Sequence, residues 1–120
     1  MRNGSEGNVS LEQSYAFALG AVRLGSFLQR QEREFNLSRQ LVRSGTSVGA
    51  NIEETQAAQT RPDFHTKICN AAQEARESHY WLRLIRDSYP NASAEASSLL
   101  ESAEELVKIL TSFTKKTKVQ

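Results

Sequence analysis

The chain has 120 residues, of which 38% are hydrophobic and 24% charged, and this is the composition of one globular domain. Fifteen Lys and Arg residues against fourteen Asp and Glu residues give a formal charge of +1, which excludes a strongly basic nucleic-acid binder but permits a local basic face. The single cysteine excludes an intramolecular disulfide and fits a reducing compartment. No segment approaches the roughly 20 apolar residues of a membrane span, and no signal peptide is present, so we expect a cytoplasmic protein.

Proline and glycine positions divide the chain into four helical blocks, which follow a polar tail over residues 1–9 that we expect to be disordered. The first block extends from about Ser10, a possible N-cap, to Gln31 and has a wide apolar stripe. This stripe of the first block consists of Leu11, Tyr15, Phe17, Ala18, Ala21, Val22, Leu24 and Leu28. The second block begins near Asn36, whose side chain is the expected N-cap. The second block has Leu37, Leu41, Val48 and Ile52 at helical spacing.

The third block has a strong start signal, because Thr60 can cap a helix with Pro62 and Asp63 in its first turn. Its apolar positions alternate spacings of four and three, as in a coiled-coil seam, and Pro90 ends the helix. These positions are Phe64, Ile68, Ala71, Ala75, Ser78, Leu82, Ile85 and Tyr89.

The fourth block, over about residues 93–113, has one apolar face and is followed by a basic, frayed tail over residues 115–120. The face consists of Ala96, Leu99, Ala103, Leu106, Leu110 and Phe113. Four amphipathic helices with short connections predict an all-α, antiparallel up-down-up-down four-helix bundle over residues 10–114. The blocks differ in character, which argues against a helical repeat.

Gly45 and Gly49 lie one turn apart in the second block, although each interior glycine weakens a helix by roughly 1 kcal/mol. A phosphate-binding P-loop needs a lysine that this segment lacks, and a membrane Gly-x-x-x-Gly motif would bury charged residues in hydrocarbon. We therefore expect close helix packing, with a bulky residue such as Tyr80 or Trp81 against this backbone.

Charged residues of the second and third blocks are spaced to form an interhelical ion-pair network. The residues expected in it are Arg39, Arg43, Asn51, Glu54, Glu74 and Glu77. The alternative is an acid–base or metal site formed by Glu54, Glu77 and His79, but the Glu-x-x-His pattern of carboxylate metal bundles is absent. His65 precedes Cys69 by one turn, yet no third group in sequence reach orients its imidazole. We expect no enzyme activity, no metal, no cofactor and no small-molecule substrate.

The third block has apolar or aromatic residues on more than one face, and one bundle cannot bury all of them. Tyr80, Trp81 and Leu84 point away from the seam and form a candidate oligomer interface. The alternative is a platform for stacked bases, formed by Tyr80, Trp81 and Tyr89 together with Arg83 and Arg86.

A family resemblance rests on segment 37–44, Leu-Ser-Arg-Gln-Leu-Val-Arg-Ser, on segment 47–54, Ser-Val-Gly-Ala-Asn-Ile-Glu-Glu, and on Glu-Ala-Arg-Glu and Tyr-Trp-Leu of the third block. Over roughly residues 15–89 the chain resembles the four-helix bundle proteins encoded by intervening sequences of bacterial 23S ribosomal RNA. The motif residues are Arg39, Arg43, Gly45, Gly49, Asn51, Ile52, Glu54, Glu74 and Glu77. The same fold is used by the accessory variability protein of diversity-generating retroelements, a barrel-like homopentamer that binds nucleic acid through basic surface residues.

The resemblance implies a ring-like homo-oligomer, with five copies as the expected number. The chain departs from the family pattern at Glu53, Glu54 and Thr55, where many relatives have Ala-Glu-Gly, and its near-neutral charge makes phosphate contacts less favourable. We expect a non-enzymatic homo-oligomeric scaffold or interaction protein. The alternative is an RNA-binding accessory protein that acts as an assembled pentameric ring. The cations that would contact nucleic acid are Arg30, Arg33, Lys115, Lys116 and Lys118.

Overall fold

Four α-helices make up most of residues 4–118, which are the residues that the computed structural model of the protein describes. The helices are α1 (Gly4–Gln31), α2 (Asn36–Glu54), α3 (Arg61–Ser88) and α4 (Ser93–Thr117), with short 3-10 helices at Thr55–Ala57 and Pro90–Ala92. Residues 4–118 contain no β-strand. The molecule measures 46 × 23 × 20 Å, so its long axis matches the length of a 28-residue helix. The predicted all-α fold with four helices is confirmed.

Cross-helix contacts establish that consecutive helices are antiparallel. Gln29 near the end of α1 donates to Ser38 near the start of α2 at 3.1 Å, and His65 near the start of α3 contacts Thr117 at the end of α4 at 2.8 Å. α1 and α4 close the bundle through the smallest of the four interfaces between neighbouring helices. The topology is therefore up-down-up-down, as short connections between amphipathic helices require.

The predicted seams of α3 and α4 form the core. On α3 the residues from Ile68 to Ile85 in this seam are buried, and all six predicted face positions of α4 are buried. On α1 only one of the two interleaved rows is buried, namely Phe17, Ala21, Leu24 and Leu28. The other row contains Tyr15 and Val22, which are exposed, so the wide apolar stripe of α1 is only partly buried. Each helix of a four-helix bundle turns only one narrow face to the core, and on α1 the buried row occupies that face.

The core also contains a hydroxyl pair between α2 and α3. Ser78 Oγ donates to Ser44 Oγ at 2.8 Å, and Ser44 Oγ donates to the carbonyl of Leu41 at 3.4 Å. Both serines are fully buried. Because each hydroxyl has a hydrogen-bond partner, the polar pair is accommodated within the apolar core.

The start of α3 is as predicted, whereas the starts of α1 and α2 are not. Thr60 Oγ1 accepts a hydrogen bond from the Asp63 amide at 3.1 Å, which is an N-cap bond. At α2, Asn36 makes no cap bond, and the buried Glu34 carboxylate accepts from the amides of residues 36, 37 and 38 at 3.0, 2.8 and 2.8 Å. Ser10 is no N-cap, because α1 already begins at Gly4.

The chain reverses between α1 and α2 through a left-handed residue. The Leu28 carbonyl accepts from the amides of Glu32 and Glu34, both at 3.0 Å, and Arg33 between them has φ 56°. This conformation costs a non-glycine residue roughly 1–2 kcal/mol.

The two predicted tails extend past the part of the chain that the structure describes. Residues 1–3 and 119–120 are outside the described residues, and Lys115 and Lys116 lie in the last turn of α4.

Candidate functional site

A seam of small residues joins α1 and α2. A Cβ placed on Gly45 would lie 2.7 Å from Ala21 Cβ, and a Cβ on Gly49 would lie 3.3 Å from the Ser14 carbonyl oxygen. The predicted role of the two glycines in close helix packing is therefore correct, but the predicted neighbour was wrong. The backbone that approaches them belongs to α1, and Tyr80 and Trp81 of α3 are not among the atoms near these glycines.

The same seam continues toward the loop between the helices. A Cβ on Gly25 of α1 would lie 2.5 Å from Val42 Cγ2 of α2, so here the glycine is on α1 and the larger residue on α2. Small residues from both helices thus let the two backbones approach each other between the Gly25–Val42 contact and the Ser14–Gly49 contact. Gly45 and Gly49 therefore serve the close packing of α2 against α1.

The predicted ion-pair network exists around one arginine. Arg43 Nη1 lies 3.3 Å from Glu74 Oε1, and Arg43 Nη2 contacts Glu77 Oε2. The same Glu77 oxygen accepts a hydrogen bond from the indole nitrogen of Trp81 at 3.0 Å. Arg43 is about half exposed, so the ion pairs add little to stability, whereas Glu77 also satisfies a partly buried indole.

The other residues predicted for this network do not join it. The Arg39 guanidinium lies over the Phe35 ring, 5.7 Å from its centroid. Asn51 Nδ2 donates to the Ser47 carbonyl of its own helix at 2.9 Å, and Glu54 is exposed at the end of α2. Ile52, another residue of the family motif, is buried in the core.

The predicted interface residues of α3 differ in exposure. Tyr80 is exposed, and its ring meets the Trp81 ring edge-on at 5.1 Å and the Arg83 guanidinium at 5.6 Å. Trp81 packs partly against the core, and Leu84 is half-buried. The bundle therefore buries more of this second face than the sequence indicated, and Tyr80 is its most exposed part.

A second exposed apolar surface, which was not predicted as an interface, lies on α1. Tyr15, Leu19 and Val22 are 66%, 36% and 43% exposed and follow one another at helical spacing. Val22 also borders an open groove between α1 and α2 that Val42 and Gly25 help to line. We call Tyr15, Leu19 and Val22 the α1 face. Tyr15 and Val22 belong to the predicted apolar stripe of α1, whereas Leu19 lies outside it.

The cations predicted to contact nucleic acid fall into two groups at opposite ends of the bundle. Arg30 lies in the last turn of α1 and Arg33 in the connection that follows, where Glu32 accepts a hydrogen bond from Asn91 of the 3-10 helix before α4. Lys115, Lys116 and Lys118 lie at the end of α4, 25 residues later, which is roughly 37 Å along the axis. At that end, Arg61 of α3 donates to the Lys116 carbonyl at 3.3 Å.

Ionisable groups elsewhere form isolated contacts. His79 Nε2 lies 3.2 Å from Glu104 Oε2, and Arg86 pairs with its neighbour Asp87, which lowers the pKa of Asp87 and raises that of Arg86. Between residues 4 and 118 no three His, Cys, Asp or Glu side chains converge as metal ligands, and no helix in that range is long and apolar enough to cross a bilayer.

Comparison with known proteins identifies the family. A model of the family described as 23S rRNA-intervening sequence protein matches residues 7–112. The chain belongs to this family. Its fold is similar, with a TM-score of 0.86 and 39% sequence identity, to a crystal structure described as a protein with unknown function from the S23 ribosomal protein family from Bacteroides thetaiotaomicron VPI-5482. That similarity covers 92% of this chain and 98% of the other. No protein among those with curated functions matches.

Proposed function

We propose that this member of the 23S rRNA-intervening sequence protein family is a non-enzymatic scaffold that works as a homo-oligomer, assembled through the α1 face. The observation that carries the proposal is the exposure of Tyr15, Leu19 and Val22 on one side of α1. A helix of a monomeric bundle ordinarily turns charged or polar residues to solvent at such positions. A second copy that covers this face would remove their apolar surface from water, at roughly 25 cal/mol per Å².

The surroundings of the α1 face suit a protein partner. The groove between α1 and α2 is apolar where Val22, Gly25 and Val42 line it, and Arg39 and Arg43 lie at its border. An apolar centre with a charged rim is the usual composition of a subunit interface. Five copies remain the expected number, on the resemblance to the retroelement proteins alone.

Light scattering coupled to size-exclusion chromatography tests the assembly. We expect the wild-type protein to be oligomeric at micromolar concentration and Leu19→Glu to dissociate it while the helical circular dichroism spectrum is retained. Ser102→Glu is the matched control, because it adds the same charge at an exposed position of α4 and should leave the oligomer intact. A monomeric wild-type protein would contradict the proposal.

A Tyr80→Glu variant separates the two candidate interfaces. If the oligomer forms through Tyr80, Trp81 and Leu84, this variant dissociates and Leu19→Glu does not. We expect the opposite result, because Trp81 is partly buried within its own subunit and has its indole nitrogen bonded to Glu77.

RNA binding is the second candidate function, and it is favoured by the basic end formed by α4 and Arg61. Lys115, Lys116 and Lys118 are close in sequence on the last turn, and an oligomer would multiply such an end several-fold in one assembly. Arg30 and Arg33 lie at the other end and should not add to the same contact. We expect these two groups to behave differently in a binding experiment.

Fluorescence anisotropy with a structured RNA at about 50 mM salt makes the comparison. If the basic end binds RNA, replacement of the three lysines by Gln weakens binding and reduces its salt dependence, since fewer counterions are released. Replacement of Arg30 and Arg33 by Gln is the matched control, which removes two charges at the other end. Absence of binding by the wild-type protein at this salt concentration would dismiss the RNA-binding function and leave the scaffold.

A further inference from the structure

A chain of hydrogen bonds leads from the only cysteine of the sequence to the last turn of α4. Cys69 Sγ lies 3.3 Å from His65 Nε2, and His65 Nδ1 lies 2.8 Å from Thr117 Oγ1. Thr117 Oγ1 in turn lies 2.8 Å from the carbonyl oxygen of Phe113. No group in sequence reach of His65 orients its imidazole, but Thr117 reaches it from another helix.

The hydrogen atoms in this series of hydrogen bonds can be assigned from the acceptor at its end. A carbonyl oxygen only accepts, so the Thr117 hydroxyl must donate its one hydrogen to Phe113. The hydroxyl oxygen is then the acceptor toward His65 Nδ1, which carries the proton of the neutral imidazole. The lone pair of the ring is left on Nε2, the atom that faces the Cys69 thiol.

Two helices position the three side chains. His65 and Cys69 are four residues apart on α3 and therefore share one face of the helix. Thr117 is in the last turn of α4, whose end Arg61 contacts through the Lys116 carbonyl. Cys69 and His65 are both intermediate in exposure, so neither residue is enclosed in the core.

We propose that Cys69 is a site of covalent modification by low-molecular-weight disulfides, with His65 as its base and Thr117 as the residue that positions the base. As Sγ attacks one sulfur of the disulfide, the thiol proton passes to His65 Nε2. A bond forms between Sγ and that sulfur, and the original disulfide bond breaks. The departing thiolate takes the proton back from Nε2 and leaves as a thiol, so the histidine returns to its neutral form.

The reaction of the native protein with 4,4′-dithiodipyridine at neutral pH tests the proposal, because each modified thiol releases one absorbing thiopyridone. With one cysteine in the chain, the signal reports Cys69 alone, and Cys69→Ser provides the blank. We expect His65→Gln to slow the reaction by about ten-fold or more, because a cysteine without a neighbouring base is only a few per cent thiolate at neutral pH. His79→Gln is the matched control, since this second partly buried histidine of α3 contacts Glu104 and should leave the rate unchanged.

Two variants of Thr117 distinguish positioning from simple packing. Thr117→Val keeps the shape of the side chain but removes the acceptor for Nδ1, and we expect a slower reaction. Thr117→Ser keeps the hydroxyl and should restore the wild-type rate. Thermal melts establish that each variant is folded. Equal rates for wild type and His65→Gln, equal rates for the two Thr117 variants, or a native rate no faster than that of the chain unfolded in guanidinium chloride would overturn the proposal.

Discussion

A single added methyl group at Gly45 should separate α1 from α2. The Cβ of Gly45→Ala would lie 2.7 Å from Ala21 Cβ, whereas carbon atoms pack comfortably at about 3.8 Å. Neither methyl group can rotate out of the way, because each is attached directly to a helix backbone. The helices must therefore move apart by about 1 Å, which weakens the neighbouring close approaches along the seam.

Two opposing terms determine the size of the effect. Alanine in place of glycine favours the helix by about 1 kcal/mol, and overpacking at a rigid contact costs about 3 kcal/mol, the upper part of the usual range. We expect Gly45→Ala to lower the free energy of unfolding by about 2 kcal/mol. Gly20→Ala is the matched control, because its Cβ would meet the end of the Leu99 side chain, Cδ2 at 2.6 Å, which can rotate away. We expect this variant to be as stable as wild type or slightly more stable.

Urea unfolding followed by circular dichroism gives the free energies, and a double-mutant cycle identifies the contact. Ala21→Gly removes the opposing methyl group, so the double variant should be about 3 kcal/mol more stable than the sum of the single changes, which is the whole overpacking cost because helix propensities cancel in the cycle. A Gly45→Ala protein as stable as wild type, or a double-mutant cycle with no coupling free energy, would show that no methyl clash occurs between positions 21 and 45.

Two further predictions concern caps and ion pairs, and urea unfolding measures both. Glu34→Ala leaves three amides at the start of α2 without their acceptor and should cost about 2 kcal/mol, whereas Asn36→Ala should change stability by less than about 0.5 kcal/mol. An equal loss in the two variants would contradict the assignment of the cap to Glu34. Arg43→Ala should cost about 0.5 kcal/mol, because the arginine is half exposed, and Glu77→Ala about 1 kcal/mol more, because Trp81 also loses its acceptor. A larger loss for Arg43→Ala would reverse this explanation.

The sequence predicted the helices and most of the core because that information is local. The alternating spacing from Ile68 to Ile85 repeats on every turn of α3, so its buried face can be read without knowledge of the partner helix. The cap at Thr60 is equally local, since the hydroxyl and the amide that it bonds are three residues apart. The family pattern added the expected fold from the same local segments.

The sequence did not predict which helices meet at a given face. Gly45 and Gly49 indicated a close neighbour, but α1 and α3 were both possible, and only the packed bundle selects Ala21 and Ser14. Thr117 was missed for the same reason, because 52 residues separate it from His65. The Glu34 cap was missed because the carboxylate lies before the usual cap position and the chain reverses at the left-handed Arg33.

The buried hydroxyls of Ser44 and Ser78 define the alignment of α2 and α3. A slip of one helix past the other by one turn, about 5.4 Å, would move Ser78 beside Leu41 or Val48, which have no side-chain acceptor. The cross-helix bond would be lost inside an apolar core, at a cost of about 1 kcal/mol or more. A wholly apolar seam tolerates such a shift, because the side chains make similar apolar contacts after it. The two serine hydroxyls thus favour the native alignment of α2 and α3 over alignments shifted by one turn. They add little to the stability of the native alignment itself.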